Sequence, residues 1–343
     1  MARPPRRTLR RIRRDPHRMP ALRRQIRNHA RHDPMIAAMQ RFHHTEFADL
    51  PHLLSLKGSQ KISVCIPTLN EEQNIGTIVS SIHDALMQKF PLIDELIVMD
   101  SGSTDRTREI AASAGAKVML SSEISHALPT HPGKGENLWK SLKVSSGDIV
   151  CYLDGDVSNF HTGFVTGLVG PLLQDASIDY VKAFYQRPLL NGDQRENSGG
   201  GRVSEILVRP LISLFYPELA DIIQPLAGEY AARRSTLESL PFPTGYGVEI
   251  AHLIDLLHAG KSSRIAQTNL ETRIHRNRSD AELGDTAFAI LKVITRRLQH
   301  DGLLSANLSL TDLHQRWSIT DDSIALTSKF IPEPELPAII SNR

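Results

Sequence analysis

Asp154, Gly155 and Asp156 stand where the apolar run Ile149 to Leu153 stops. A run of that length, bounded by Gly147 and Gly155, predicts a buried strand, and α/β sheets carry their chemistry just past such carboxyl ends. Residues two apart on a strand project to one face, and the intervening glycine lets the chain turn so that both carboxylates converge. Hard divalent ions want such oxygens, and Mg²⁺ in particular is held by one or two carboxylates together with substrate phosphates. Asp-Gly-Asp is also an ordinary turn sequence, so the pair gains meaning only from its surroundings. Lys134, flanked by Gly133 and Gly135, reads as a cation on an exposed, flexible loop that can meet a diphosphate as a point charge. Gly199-Gly200-Gly201 leads through Arg202 and Ser204 into an apolar helix over Val203 to Phe215, offering backbone N–H groups, a guanidinium and a hydroxyl to an anion. Glu249 opens a helix running toward Leu257, where a glutamate also compensates the helix dipole.

The elements that must position these groups alternate. KISVCIPTLNEEQNIGTIVSSIHDAL reads as a strand over Ile62 to Ile66, a polar turn, and a helix with Ile75, Ile78, Val79, Ile82 and Leu86 at helical spacing. Leu96 to Met99 makes a second strand, and the following turn leads to a helix closed by Gly115. Ala116 to Leu120 is a third. Strand and helix in this alternation predict right-handed crossovers and a mostly parallel sheet. No G-x-G-x-x-G follows the first strand, and Pro132-Gly133-Lys134-Gly135-Glu136 lacks the Ser or Thr of a phosphate-binding loop, which argues against dehydrogenases and P-loop enzymes. Asn70 and Ser103 or Thr104 are the natural helix N-caps after the first two strands, and Glu71, Asp100 and Ser101 can bond uracil or ribose groups there.

The 343 residues are 40% hydrophobic and 23% charged, an ordinary globular composition. Both cysteines, Cys65 and Cys151, lie in strand-like runs and read as buried thiols of a reducing, cytoplasmic setting. No apolar stretch approaches the ~18 residues of a membrane span, which excludes stable membrane insertion. The net charge of +2 hides an asymmetry, because residues 1–32 carry twelve arginines and one acid, or +11, leaving −9 on the rest. Residues 1–33 therefore read as a basic, disordered tail. As a polyanion-binding arm, a transit peptide, an upstream-start extension or a solvated tail, it says nothing about the fold's function, and a nucleic-acid partner is not expected. Residues 34–57 read as a helical lead-in that packs Phe42, Phe47, Leu50, Leu53 and Leu54 on the body, 58–160 and 161–300 as donor-binding and acceptor-binding halves, and 301–343 as an irregular strap.

Pro67-Thr68-Leu69-Asn70-Glu71-Glu72, Asp100-Ser101-Gly102-Ser103-Thr104-Asp105 and Asp154-Gly155-Asp156, in that order at successive strand ends, resemble the GT-A fold of nucleotide-sugar glycosyltransferases. With Pro132 to Glu136, Gly199 to Glu205, Gly228-Glu229-Tyr230, Gly245-Tyr246-Gly247-Val248-Glu249 and His275-Arg276-Asn277-Arg278 added, the chain resembles the glucosyl-3-phosphoglycerate synthases over about residues 60 to 285. The resemblance implies an α/β GT-A fold with a C-terminal acceptor region. It implies a retaining, divalent-metal-dependent, homodimeric enzyme that moves glucose from an NDP-glucose, UDP-glucose favoured, to the 2-hydroxyl of 3-phospho-D-glycerate. The product is a precursor of glucosylglycerate, a compatible solute. Mannosyl transfer from GDP-mannose, transfer to a polyprenyl phosphate, and a nucleotide-sugar-binding regulator without activity are the alternatives.

The same resemblance assigns the site. Pro67, Thr68, Leu69, Glu71, Ser101, Lys134, Asp154 and Gly155 would hold the nucleotide sugar, and Asp156 with His275 the metal, Mg²⁺ with Mn²⁺ or Co²⁺ also suited to carboxylate and imidazole. Gly201, Arg202, Ser204, Asn277 and Arg278 would hold the acceptor, with Arg273 a further candidate only through its closeness in sequence. Glu249 and Asp156 are the residues expected at the chemistry, Glu249 positioning the acceptor or the transferred glucose. Gly155 stands where members of that family often carry serine, a departure that leaves both acids intact.

Overall fold

The computed structural model describes residues 39–124, 131, 133–191, 194–196, 201–274, 279–320 and 323–342. The arginine-rich tail, Pro132, Gly199, Gly200, His275, Asn277 and Arg278 lie outside the described residues.

In chain order the strands are β1 (Arg41–His43), β2 (Ile62–Thr68), β3 (Glu95–Asp100), β4 (Lys117–Leu120), β5 (Ile149–Tyr152) and β6 (Tyr180–Gln186). A small hairpin, β7 (Leu189–Asn191) and β8 (Gln194–Glu196), precedes β9 (Tyr230–Arg233), β10 (Phe242–Pro243) and β11 (Ile265–Thr272). β12 (Leu313–Thr320), β13 (Ser323–Phe330) and β14 (Glu335–Leu336) end the chain. Eight strands form one sheet in the order β1-β11-β6-β9-β5-β2-β3-β4. Within it only β9 runs antiparallel to its neighbours, β5 and β6. The expected mostly parallel α/β architecture is what forms.

The register follows from which side chains each face must bury. Ile62, Val64 and Ile66 of β2 join Ile149 and Cys151 of β5 in one core, while Cys65, Val150 and Tyr152 face the other. Both faces are covered by helices, so these strands are apolar throughout rather than alternating with polar residues. Both thiols are free and buried, and burial pushes Cys65 up to about 12. The crossover helices Ile75–Ile82 and Thr107–Ser113 lie where the periodicity placed them. Gly115 takes φ +107° just past the second, the left-handed conformation that suits a glycine there.

Three expectations fail. The lead-in is not one helix: Arg41–His43 is an edge strand parallel to β11, Arg41 opposite Gln267 and His43 opposite Asn269, and only Leu50–Lys57 is α-helical. A free sheet edge with unpaired backbone groups outcompetes the weak helical period of that segment. The C-terminal region contains a regular hairpin, β12 with β13, before the irregular strap. Asn70 and Ser103 do not cap helices; Asn70 adopts φ 59°, and the two residues tie the neighbouring loops together.

Candidate active site

The loops after β2 and β3 are knitted to each other. Asp100, fully buried at the end of β3, accepts from the Gly102 and Ser103 amides at 2.9 and 2.8 Å, from the Ser103 hydroxyl, and from Thr68 Oγ1 at 3.3 Å. It is spent on its own loop, so the reading of Asp100 as a nucleotide acceptor is corrected. The Asn70 carboxamide accepts from the Thr104 amide at 2.9 Å, and the Glu71 amide donates to Thr107 Oγ1 at 2.7 Å. Ser101 donates its amide to the Thr68 carbonyl, while its hydroxyl accepts from Asn137 Nδ2 at 2.7 Å. Leu69 is more than half exposed. A Cβ at Gly155 would approach Thr68 Cγ2, Glu71 Cγ and the Pro67 carbonyl at 3.1–3.5 Å, which places the D-G-D turn directly against this loop. Pro67, Thr68, Glu71, Ser101 and Gly155 thus come together.

Beside them lies a charged centre. The Lys134 ammonium sits 2.5 Å from Asp154 Oδ1 and 2.8 Å from Glu249 Oε1. The Arg273 guanidinium reaches Asp154 Oδ2 at 2.9 Å, Asp156 Oδ1 at 2.6 Å and, through Nε, Glu229 Oε1 at 2.6 Å. Tyr185 donates its hydroxyl to the other Glu229 oxygen at 2.6 Å. Asp154 and Asp156 do converge, as their spacing predicts, and one guanidinium nitrogen bonds both. Glu229 and Arg273 are almost completely buried, and ionised groups survive there because each is paired. Burial alone would make Lys134 easier to deprotonate, but Asp154 and Glu249 outweigh it and hold the ammonium well above the ordinary lysine range. In Arg273 the same contest is won by Glu229, Asp156 and Asp154.

Lys134 corrects its own expectation. It is the first residue of the helix Lys134–Val144 and largely buried, not the tip of a flexible loop. Its glycines serve close packing: a Cβ at Gly135 would lie 1.8 Å from the Pro243 carbonyl, and one at Gly133 2.4 Å from the Thr244 carbonyl. The Gly135 and Glu136 amides donate across this contact to the Gly245 and Thr244 carbonyls. The far wall is the C-terminal strap, whose Glu333 accepts from the Gly245 amide at 2.9 Å just before Glu249 enters the first turn of the helix Val248–His258. Gly228 completes the cradle, since a Cβ there would meet Asp154 Oδ2 at 2.2 Å and Lys134 Nζ at 2.3 Å.

The segment expected to bind an anion is described only from Gly201 onward. Gly201 takes φ +81° and Ser204 is buried at the start of the helical stretch, while Arg202 pairs with Asp280 Oδ1 at 2.5 Å. Asp280 begins the helix Asp280–His300, immediately after the segment that holds Asn277 and Arg278. From sequence, Glu229 stands in a family-like string without a role, Tyr185 and Lys182 are passed over, and Arg273 is named only by proximity. A glutamate or lysine inside an apolar strand, as in GEYAAR and YVKAFY, is the signal that flags them.

Four carboxylates set against two cations leave this centre with an anionic surplus, at the carboxyl end of β5 where parallel sheets open. Oxygen donors of that kind fit a hard divalent ion that also binds phosphate. The sequence profile of Glycosyl transferase family 2 matches residues 63–228. A glucosyl-3-phosphoglycerate synthase of Petrotoga mobilis is 49% identical over 302 residues, 88% of this chain and 93% of that protein. The chain belongs to the glucosyl-3-phosphoglycerate synthases. In structure it matches the Mycobacterium tuberculosis synthase solved with Mn²⁺, UDP and phosphoglyceric acid at a TM-score of 0.78 and 37% identity, covering 89% of this chain and 99% of that one. The same mycobacterial enzyme solved with Mn²⁺, UDP and glucosyl-3-phosphoglycerate matches at a TM-score of 0.77 and 38% identity, covering 89% of this chain and 100% of that one. The chain is a glycosyltransferase of GT-A architecture, and among its described residues no helix is long and apolar enough to cross a membrane.

Proposed function

We propose that the enzyme transfers glucose from UDP-glucose to the 2-hydroxyl of 3-phospho-D-glycerate with retention of configuration, with a divalent ion bound. The observation that carries this reading is the paired-charge centre of Lys134, Asp154, Asp156, Glu229, Glu249 and Arg273, set beside the Thr68–Ser101 loops in a chain of this family. Pro67, Thr68, Leu69, Glu71, Ser101 and Gly155 bind the uridine end. Lys134, kept protonated by its two acids, meets the diphosphate as a fixed positive charge as the sugar–phosphate bond breaks. Asp156 and His275 would hold the ion, Mg²⁺ favoured and Mn²⁺ or Co²⁺ accepted; when bound it supplies Lewis-acid stabilisation of the leaving diphosphate. Gly201, Arg202, Ser204, Asn277 and Arg278 take the phosphate and carboxylate of the acceptor, and Glu249 orients the reacting hydroxyl or the transferred glucose.

UDP release from UDP-glucose, measured with Mg²⁺ and 3-phosphoglycerate, 2-phosphoglycerate, glycerate or no acceptor, tests this directly. The expected result is release that requires 3-phosphoglycerate and disappears in Asp156→Ala. Equal release without acceptor, or turnover only with GDP-mannose, would overturn it.

We also propose a cytoplasmic homodimer. Two free, buried thiols suit a reducing compartment. The β12–β13 hairpin presents Leu313, Trp317, Ile324, Leu326 and Phe330, all exposed, as a stripe of the kind a second copy covers. Sedimentation of the wild type beside a Trp317→Glu, Phe330→Glu variant checks the assembly: a monomeric wild type rejects it.

A further inference from the structure

A second group of ligating side chains, none of them part of the site above, gathers where the lead-in meets the edge of the sheet. His43 ends β1 opposite Asn269 of β11, and a bulge interrupts β11 between Asn269 and Thr272. Inside that bulge Glu271 adopts φ 66°, a left-handed conformation rare for a side chain of its kind. The Asn269 carboxamide, accepting from the Glu271 amide at 2.9 Å, helps hold it. The strained backbone aims the carboxylate at two imidazoles: Glu271 Oε1 lies 3.7 Å from His43 Nε2 and 3.3 Å from His44 Nε2.

These are the separations of ligands sharing an ion. Donors held at 2.0–2.2 Å from a tetrahedral zinc-class ion stand about 3.3–3.6 Å apart. All three donor atoms lie within 4.8 Å of one another. His44 Nε2 is buried and, despite its distance from Glu271, makes no hydrogen bond among the described residues. Its ring is seated by two helix glycines, since a Cβ at Gly163 would lie 2.5 Å from His44 Nδ1 and one at Gly167 2.7 Å from its Cβ. His43 Nδ1 accepts from the Thr45 amide at 3.4 Å and stands 2.8 Å from Thr45 Oγ1; an ion on Nε2 would shift the ring proton to Nδ1, where the Thr45 hydroxyl can accept it in place of the amide contact. A cavity of about 230 Å³ lined by His44, His161, Thr162 and Thr166 lies beside the cluster, and Glu271 itself is exposed.

We propose that His43 Nε2, His44 Nε2 and Glu271 Oε1 bind a divalent transition ion of the zinc class, with water as fourth ligand, distinct from the ion of the transfer reaction. Two imidazoles and one carboxylate select Zn²⁺, Co²⁺ or Ni²⁺ over Mg²⁺ and Ca²⁺, which take oxygen ligands. The ion pins the lead-in to the bulge two residues before Arg273, and it offsets the strain stored at Glu271.

The test uses the full chain dialysed against trace Zn²⁺ in a large excess of Mg²⁺, which fills oxygen sites and leaves this one free. Bound zinc and the melting temperature are read for the wild type, His44→Ala and Glu271→Gly. The glycine relieves the left-handed strain, so that variant melts higher than the wild type without zinc, which shows that it folds. The expected result is one zinc bound by the wild type with a rise in melting temperature, and an affinity weakened about tenfold or more in both variants. Absence of bound zinc in the wild type, or unchanged affinity and melting shift in Glu271→Gly, overturns the site.

Discussion

The loops after β2 and β3 and the charged centre adjoin each other but are built differently. The loops after β2 and β3 come from two short segments and are held by hydrogen bonds around one buried carboxylate, Asp100, whose oxygens are met by amides and hydroxyls. The charged centre draws on a helix start, a strand end, a glycine turn and the chain after β11, and every member is an ion. A single carboxylate held by amides and hydroxyls loses one bond at a time, whereas a network of several buried ions loses its balance when any member leaves. If the loops hold the uridine end as proposed, they do so with hydrogen-bonded backbone, while the centre is preorganised for charge.

That contrast predicts where damage is greatest. Arg273→Met leaves Glu229, Asp154 and Asp156 without their shared counter-charge, and is expected to cost about 3–5 kcal/mol in urea unfolding. A fall of about a hundredfold or more in kcat/KM should accompany it. Arg273→Lys keeps the charge without the planar fork that reaches three carboxylates, so it restores part of the stability and little of the activity. A wild-type urea midpoint in Arg273→Met would show that the acids do not depend on this clamp.

A pair of glycines separates the regions without changing any charge. At Gly228 an added methyl collides with Asp154 and Lys134, both of them mobile side-chain ends, so Gly228→Ala should lower kcat/KM by about 10–100-fold while shifting the melting temperature by only a few degrees. At Gly102 nothing lies within 4 Å but φ is +101°. Gly102→Ala is expected to cost about 1–2 kcal/mol from backbone strain, with kcat/KM changed less than by Gly228→Ala. Kinetics and melts on both variants read the difference, and the reverse ranking of their activities would erase the distinction between the regions.

The same division governs what the sequence makes legible. Strand ends, crossover helices and the D-G-D turn follow from local patterns in the sequence, whereas the roles of residues beside them, such as Thr68 and Ser101, come only from the family resemblance. What Arg273 touches is not legible in this way, because only the fold brings the chain just after β11 to the acids that follow β5 and the glutamate that precedes β9. Lys134 misleads for a related reason: two flanking glycines suggest mobility until the backbone of Pro243 and Thr244 is seen pressed against them. The β1 edge strand likewise depends on β11, a partner more than two hundred residues away in the chain.

Lys182 is the exception within the charged neighbourhood and offers the smallest, most specific test. It is buried in β6, donates to the Ala227 carbonyl at 2.5 Å and lies 5.1 Å over the Tyr230 ring, and among the described residues no carboxylate is in salt-bridge contact with it. Burial pushes it down from 10.5 to about 8; Glu249 and Glu229 pull it up and Lys134 pushes it further down. Below pH 8 both the folded and the unfolded chain bind the proton, and the fold carries the whole cost of a buried ammonium. Between about 8 and 10.5 the unfolded chain holds more protons, so this lysine's contribution to stability rises with pH. Measured against Lys182→Met by urea unfolding, the wild type should gain on the order of 3 kcal/mol across that window. A difference that stays flat would mean that Lys182 is as well compensated as Lys134, and that burial without a paired acid is not what sets it apart from the rest of the centre.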